Sequence, residues 1–148
     1  MRVFVFRDSW VLPAAPDVVG TVLADLAGYP TWWPQVLAVA ALGPDDARVL
    51  CRSRLPYTLD LVLHAVSRHP PLLESTLTGD LEGRVRWRLS ARGEGTLLDF
   101  HQEVVVTGRL LGLASWTAAP LLRWNHRQMM AGGIAGLRSR LEGSRREG

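Results

Sequence analysis

The chain has 148 residues, of which 47% are hydrophobic and 21% charged. This composition predicts one globular domain and excludes collagen-like, coiled-coil and wholly disordered classes. All 17 basic residues are arginine, which excludes a lysine nucleophile, and a net charge of +3 with scattered arginines argues against nucleic-acid binding.

Cysteine and hydropathy patterns indicate the compartment. Cys51 is the only cysteine, so neither an intrachain disulfide nor a Cys-x-x-Cys metal pair can form in this sequence. No apolar run approaches 18 residues, and the first ten residues carry charge within their apolar stretch and no small-residue cleavage site. We therefore expect a cytoplasmic protein with no stable membrane insertion.

The first 34 residues predict one strand and two helices. Residues 2–12 are rich in β-branched and aromatic side chains, and Pro13 should end the strand. Apolar residues then recur at three- and four-residue steps, which predicts a helix over about 15–27 that stops at Gly28. A short second helix is expected in the Pro-bounded segment 29–34, with Thr31 as its cap.

Residues 36–107 predict an antiparallel meander of about six strands, because short apolar runs alternate there with Gly- and Pro-containing turns. The clearest pair is 81–89 with 97–105, in which apolar and charged residues alternate. A hairpin of these two strands places Arg88 opposite Asp99 and Arg84 opposite Glu103 on the solvent face. We interpret the arginine row of the first strand as a solvated face rather than a nucleic-acid stripe.

The last segment predicts a long helix from about 118 or 120 to about 141. Its helical periodicity places a single stripe on the inner face: His126, Met130, Gly133, Ile134, Leu137 and Leu141. Residues 143–148 are expected to be a disordered tail, which leaves one domain over residues 1–142. A curved antiparallel sheet with its concave face covered by this helix buries the apolar face of each, so the predicted fold is α+β.

Several segments carry a resemblance to a known family. They are Ala-Asp-Leu-Ala-Gly-Tyr-Pro-Thr-Trp-Trp-Pro at 24–34, Leu-Pro-Tyr at 55–57, Gly-Asp-Leu-Glu-Gly at 79–83, Gly-Thr at 95–96 and Arg-Trp-Asn-His…Met…Gly…Gly-Leu at 123–137. With the order of elements, they resemble a bacterial branch of the START-like (SRPBCC) helix-grip superfamily, which includes polyketide cyclases and lipid-transfer domains. The resemblance implies a cavity for a hydrophobic molecule between sheet and helix. Gln102 departs from it, because an aromatic residue is expected there.

The candidate polar residues of such a cavity start with His126 and Arg123. The helical wheel places both near the inner face, where an imidazole could donate to a carbonyl or move a proton and a guanidinium could hold a carboxylate. The alternative is structural: Asn125 and His126 tie the helix start to its neighbours while Arg123 extends outward. Tyr57 could offer a phenol or lie in an exposed loop.

The remaining candidates are apolar or close one end of the cavity. Trp32 and Trp33 either form a lid or pack beneath the first helix. Cys51 is expected to be a small core residue. The full predicted ligand-binding set comprises Trp33, Tyr57, Val85, Trp87, Leu89, Phe100, Gln102, Arg123, His126, Met130 and Ile134.

These residues lead to one hypothesis and two alternatives. The hypothesis is the binding of a lipid, isoprenoid or polyketide-like molecule by a monomer or homodimer. One alternative is an aromatase or cyclase in which His126 and Arg123 assist enolisation and loss of water. The other is a non-catalytic protein-interaction module, which a filled interior would favour. No metal or other cofactor is expected, because the four histidines lack ligand spacing and no nucleotide-binding motif is present.

Overall fold

The computed structural model describes residues 3–53, 57–107 and 118–147. A first strand and two short helices precede six further strands and a long helix. The elements are β1 (Val3–Leu12), α1 (Pro16–Ala24), a 3₁₀ helix (Leu26–Thr31), β2 (Val36–Ala41), β3 (Asp46–Arg52), β4 (Thr58–Ser67), β5 (Leu72–Gly79), β6 (Leu81–Arg92), β7 (Gly95–Val106) and α2 (Ala119–Glu147).

The seven strands form one antiparallel sheet in the order β1-β7-β6-β5-β4-β3-β2. The chain crosses from β1 to the opposite edge through the two short helices, and then returns strand by strand until β7 pairs with β1. Alternate residues of each strand face the concave side, where the core of buried side chains lies. This is the α+β helix-grip fold expected from the sequence, with six strands between the short helices and α2.

The predicted hairpin is present with its predicted register. Arg84 pairs with Glu103 and Arg88 with Asp99 across β6 and β7. Arg84 Nε lies 4.0 Å from a Glu103 carboxylate oxygen on the exposed face, while Arg86 Nε lies 3.5 Å from Glu74 on β5. Arg84 and Arg86 of the arginine row therefore lie beside carboxylates of the neighbouring strands.

The helix boundaries differ from the sequence prediction. The helix expected over about 15–27 ends at Ala24, and Asp25 separates it from a 3₁₀ helix that begins before the predicted second helix. Thr31 is the last residue of the 3₁₀ helix rather than an N-terminal cap, and its hydroxyl donates to the Gly28 carbonyl at 2.5 Å. Pro30 has no backbone N–H to donate. It is tolerated within this 3₁₀ helix because so short a helix needs few backbone hydrogen-bond donors.

Helix α2 packs closely on the turn that holds Trp32 and Trp33. A Cβ atom built on Gly136 would lie 1.6 Å from the Trp32 carbonyl oxygen, and one on Gly133 would lie 2.5 Å from the Trp33 ring. Glycine is required at these positions because any side chain would push the helix away from the turn.

The inward stripe of α2 matches the predicted one: Met130, Gly133, Ile134, Leu137 and Leu141 are buried. The helix continues to Glu147. Residues 143–147 are therefore helical, whereas the sequence predicts a disordered tail there. Within the described residues, no helix is both long and apolar enough to span a bilayer.

Candidate functional site

A cavity of about 390 Å³ lies between the concave face of the sheet and α2. Its position follows from one row of cross-strand partners that carries small side chains. Ala65 pairs with Ser75, Ser75 with Val85, and Val85 with Gln102, so the row runs from β4 to β7. All four side chains line the cavity.

Larger side chains on the two adjacent rows form its walls. On one side Leu73 pairs with Trp87 and Trp87 with Phe100. On the other side Leu63 pairs with Leu77, and the row continues through Gly83 to Val104. The space over the central row remains because the side chains of Ala65, Ser75 and Val85 are too short to reach α2, while their neighbours hold the helix away from the sheet. The volume is at the lower end of the range of about 300–1,000 Å³ for ligand pockets.

Exposed residues mark one end of the cavity. The exposed lining residues include Ala24, Ala27 and the turn 43–45 before β3, where the Asp45 carbonyl oxygen accepts from the backbone N–H of Ala65. Arg68, at the end of β4, donates to the Pro44 carbonyl oxygen and forms an ion pair with Asp45 at 2.7 Å. This end, which we call the mouth, is therefore polar and accessible to solvent.

His126 lies at the opposite end of the small-residue row. Its ring stacks on Phe6 with 3.7 Å between centroids and an interplanar angle of 11°, and the Phe100 ring lies 5.8 Å away. Burial among these rings lowers the pKa of His126 to about 4, because the charged imidazolium loses its hydration there. The imidazole is therefore neutral at physiological pH.

Gln102 contacts His126 from strand β7. The His126 Nε2 atom lies 3.1 Å from the Gln102 side-chain oxygen Oε1. Because a neutral imidazole has one protonated nitrogen, this contact requires the proton on Nε2, which donates to the amide oxygen. Gln102, the departure from the family pattern, thus faces the cavity and is held by a residue of α2.

The structure brings together most of the predicted ligand-binding residues. The cavity is lined by Trp33, Tyr57, Val85, Trp87, Phe100, Gln102, His126 and Met130. Leu89 and Ile134 do not line it; both are buried in the core, where Leu89 lies beneath Gly20 of α1.

Arg123 does not line the cavity either. It is exposed, and its guanidinium carbon lies 5.5 Å from the centroid of the Phe4 ring and 6.0 Å from that of Phe6. The helical wheel gave its angle correctly, but Phe4 and Phe6 of β1 lie between this part of α2 and the sheet. The outward alternative is the one that the structure shows for Arg123.

Both adjacent tryptophans are buried, and they play different roles. Trp33 lines the cavity, and its indole Nε1 donates to the Met129 carbonyl of α2 at 2.9 Å. Trp32 is buried next to it with 5.6 Å between ring centroids and does not line the cavity. Both rings are thus packed core side chains, and one of them also forms cavity wall.

Tyr57 and Cys51 line the cavity from the β3 and β4 side. Burial raises the Tyr57 pKa. Burial also raises the pKa of the Cys51 thiol to about 12, which keeps it protonated and unreactive. Cys51 is the small buried strand residue that the sequence predicts, with a place in the wall as well.

Sequence reasoning missed the contribution of β1. Phe4 and Phe6 both line the cavity, and Phe6 provides the surface on which His126 stacks. The sequence signal for this inward face was the alternation of apolar residues along β1, at Phe4, Phe6, Trp10 and Leu12, which the exposed Asp8 interrupts. Asn125, treated as a possible structural tie, is buried and lines the cavity as well.

No group of three or more His, Cys, Asp or Glu residues with metal-binding geometry occurs among the described residues. The polar side chains that line the cavity can therefore be assessed as hydrogen-bonding groups. The amide and imidazole side chains of Gln102, Asn125 and His126 lie at one end and the Asp45–Arg68 pair lies at the other, whereas the hydroxyl of Ser75 lies in the central row.

Comparison with solved structures places this architecture among known folds. A START superfamily protein from Mycobacterium smegmatis superposes with a TM-score of 0.78 at 15% identity, covering 94% of this chain and 97% of that chain. The ZhuI aromatase/cyclase from Streptomyces sp. R1128 gives a TM-score of 0.79 at 15% identity, with coverage of 95% and 94%. A protein from Thermus thermophilus gives 0.81 at 16% identity, with coverage of 95% and 99%.

At these identities the structural similarity establishes the START-like fold alone. No curated protein matches the sequence significantly. The sequence pattern of the family described as polyketide cyclase/dehydrase and lipid transport, however, matches residues 4–142. The match covers β1 through nearly all of α2, so the chain belongs to the polyketide cyclase/dehydrase and lipid transport family.

Proposed function

We propose that this protein binds a hydrophobic small molecule, of the lipid, isoprenoid or polyketide type, in the cavity between the sheet and α2. The observation that carries the proposal is the cavity of about 390 Å³ over the row Ala65, Ser75 and Val85. Aliphatic and aromatic side chains form most of its wall, which favours an apolar ligand body. Family membership supports the same function.

The observations favour binding over the two alternatives. The cyclase hypothesis requires His126 and Arg123 to act on one molecule, whereas Arg123 is exposed and does not line the cavity. The protein-interaction hypothesis is favoured by a filled interior, and the interior here contains a cavity. Ligand binding is therefore the function that the cavity supports best.

Binding can be tested with N-phenyl-1-naphthylamine, an uncharged probe that fluoresces in apolar surroundings. We expect saturable binding to the wild-type protein at one site. Ser75→Leu should abolish or greatly weaken it, because the larger side chain fills the centre of the small-residue row. Thr76→Leu is the matched control, since Thr76 is the next residue of β5 and lies on the exposed face.

The two variants also make the negative result informative. Both should retain the wild-type circular dichroism spectrum, which shows that the fold is intact. Equal probe affinity of Ser75→Leu and Thr76→Leu would place the probe outside the cavity and contradict the proposal. Absence of saturable binding to the wild-type protein would contradict it as well.

A further inference from the structure

Gln102 is the isolated polar group on its part of the concave sheet face. Its cross-strand partners are Phe6 and Val85, and its neighbours on the same face of β7 are Phe100 and Val104. A polar side chain among four apolar ones costs free energy unless its hydrogen-bonding groups are satisfied. The hydrogen-bond partners of the Gln102 amide therefore indicate which kind of ligand fits the cavity.

Only half of the Gln102 amide is satisfied within the described part of the chain. His126 donates to its oxygen, whereas no group in residues 3–53, 57–107 and 118–143 accepts a hydrogen bond from its nitrogen Nε2. With the imidazole proton on Nε2, this contact keeps the amide oxygen on His126, because a rotated amide would then bring its own N–H against the Nε2–H of the ring. The amide nitrogen is left as a donor in the cavity wall.

The charges around this donor disfavour an anionic ligand. His126 is neutral at physiological pH, and Arg123 lies outside the cavity. Among the described residues that line the cavity, the cationic side chain is Arg68, which is at the mouth and ion-paired with Asp45. A carboxylate beside Gln102 would lose its hydration with no opposite charge to compensate.

The row of small side chains sets the length of the ligand. Three strand spacings separate Gln102 on β7 from Ala65 on β4, which is roughly 14 Å at about 4.8 Å per strand. The donor lies at the inner end of this row, and the mouth lies beyond its outer end. A ligand aligned with the row therefore presents one terminus to Gln102.

We propose that Gln102 is the specificity-determining residue of the cavity: its amide N–H groups donate to a neutral oxygen acceptor, a carbonyl or hydroxyl oxygen, at one end of an elongated apolar ligand about 14 Å long. His126 is a positioning residue that holds the amide in the donating orientation. The inference rests on the proposed function, because it specifies which hydrophobic molecule the cavity accepts.

Three matched compounds test the inference by displacement of N-phenyl-1-naphthylamine at pH 7. They are 2-undecanone, its apolar isostere 2-methylundecane, and decanoate, which share the same number of heavy atoms. In a wholly apolar cavity the alkane would bind more tightly than the ketone, since it has no oxygen to remove from water. We expect the reverse order, with the ketone about tenfold tighter than the alkane and more than about tenfold tighter than decanoate.

Variants separate the role of Gln102 from that of the cavity. Gln102→Leu should reverse the order of ketone and alkane while the alkane still displaces the probe. His126→Phe keeps a ring on Phe6 and removes the contact with the amide, so it should reduce the preference for the ketone over the alkane. Val105→Leu changes the exposed-face residue of β7 opposite Val3 and should leave the order as in wild type.

The outcomes distinguish the two proposals. Tighter binding of the alkane by the wild-type protein, equal binding of decanoate and ketone, or an unchanged preference in Gln102→Leu would overturn the role of Gln102 and leave the apolar cavity standing. Failure of all three compounds and of the probe to bind would overturn the proposed function itself.

Discussion

Burial of His126 predicts a specific dependence of stability on pH. Its pKa falls from an ordinary value of 6.5 to about 4 in the folded protein because the ring is enclosed by Phe6 and Phe100. The folded state therefore binds fewer protons than the unfolded state between these two values. The free energy of unfolding must decrease as pH falls through this window, and the contribution is complete only above pH 6.5.

The magnitude follows from the two pKa values. Each unit of difference corresponds to about 1.4 kcal/mol, so the loss is about 2 kcal/mol at pH 5 and about 3 kcal/mol at pH 4, and its limit at lower pH lies between about 3 and 4 kcal/mol. For a domain with a total stability of about 5–15 kcal/mol, this is a large fraction.

Urea unfolding at pH 7, 6 and 5 measures the effect when wild type is compared with His126→Phe. The variant cannot titrate at this position, so wild type should lose about 2 kcal/mol more than the variant between pH 7 and pH 5. Carboxylates and the other histidines contribute equally to both proteins and cancel in the difference. His69→Gln, at an exposed histidine, is the matched control and should follow wild type. Parallel pH profiles for wild type and His126→Phe would refute the buried neutral imidazole.

Three further predictions concern packing, the cavity wall and the sheet surface. Gly136→Ala should lower the free energy of unfolding in urea titration by about 1–3 kcal/mol, because its Cβ would lie 1.6 Å from the Trp32 carbonyl oxygen. Gly143→Ala is the matched control: a Cβ there would have no described atom within 4 Å, so the free energy of unfolding should rise by up to about 1 kcal/mol. Equal effects of the two substitutions would contradict the close approach of α2 to the Trp32 turn. The Cys51 thiol should react with Ellman's reagent at least about a hundredfold more slowly in the folded protein than in urea, since burial raises its pKa to about 12, and equal rates would show that the wall is open there. Arg84→Gln should change the free energy of unfolding by less than about 0.5 kcal/mol, because its 4.0 Å contact with Glu103 is exposed; a loss above about 2 kcal/mol would show a stronger pair than the geometry allows.

The sequence predicts the strands and the inward face of α2 well because both depend on periodicity. Alternation between apolar and charged residues specifies the faces of β6 and β7, and the two-residue turn at 93–94 then sets Arg84 opposite Glu103 and Arg88 opposite Asp99. Helical spacing likewise identifies Met130, Leu137 and Leu141 as buried. These patterns are local, so no knowledge of the tertiary structure is needed to read them.

The site is less predictable because it depends on which elements meet. The angle of Arg123 on α2 was correct, yet Phe4 and Phe6, over a hundred residues earlier, separate it from the cavity. The contact of His126 with Gln102 joins a helix to a strand that periodicity alone does not align. The small-residue row Ala65, Ser75 and Val85 emerges only once the register of two strand pairs, β4–β5 and β5–β6, is known.

The proposed function requires that an apolar ligand occupies the space between the sheet and α2. Met129 and Met130 line that space, and their methyl groups can be labelled with ¹³C and observed individually by NMR. We predict intermolecular NOEs between the aromatic protons of bound N-phenyl-1-naphthylamine and both methyl groups, and their loss in Ser75→Leu. Saturable probe binding without NOEs to either methionine would place the ligand elsewhere on the protein and contradict the proposed function.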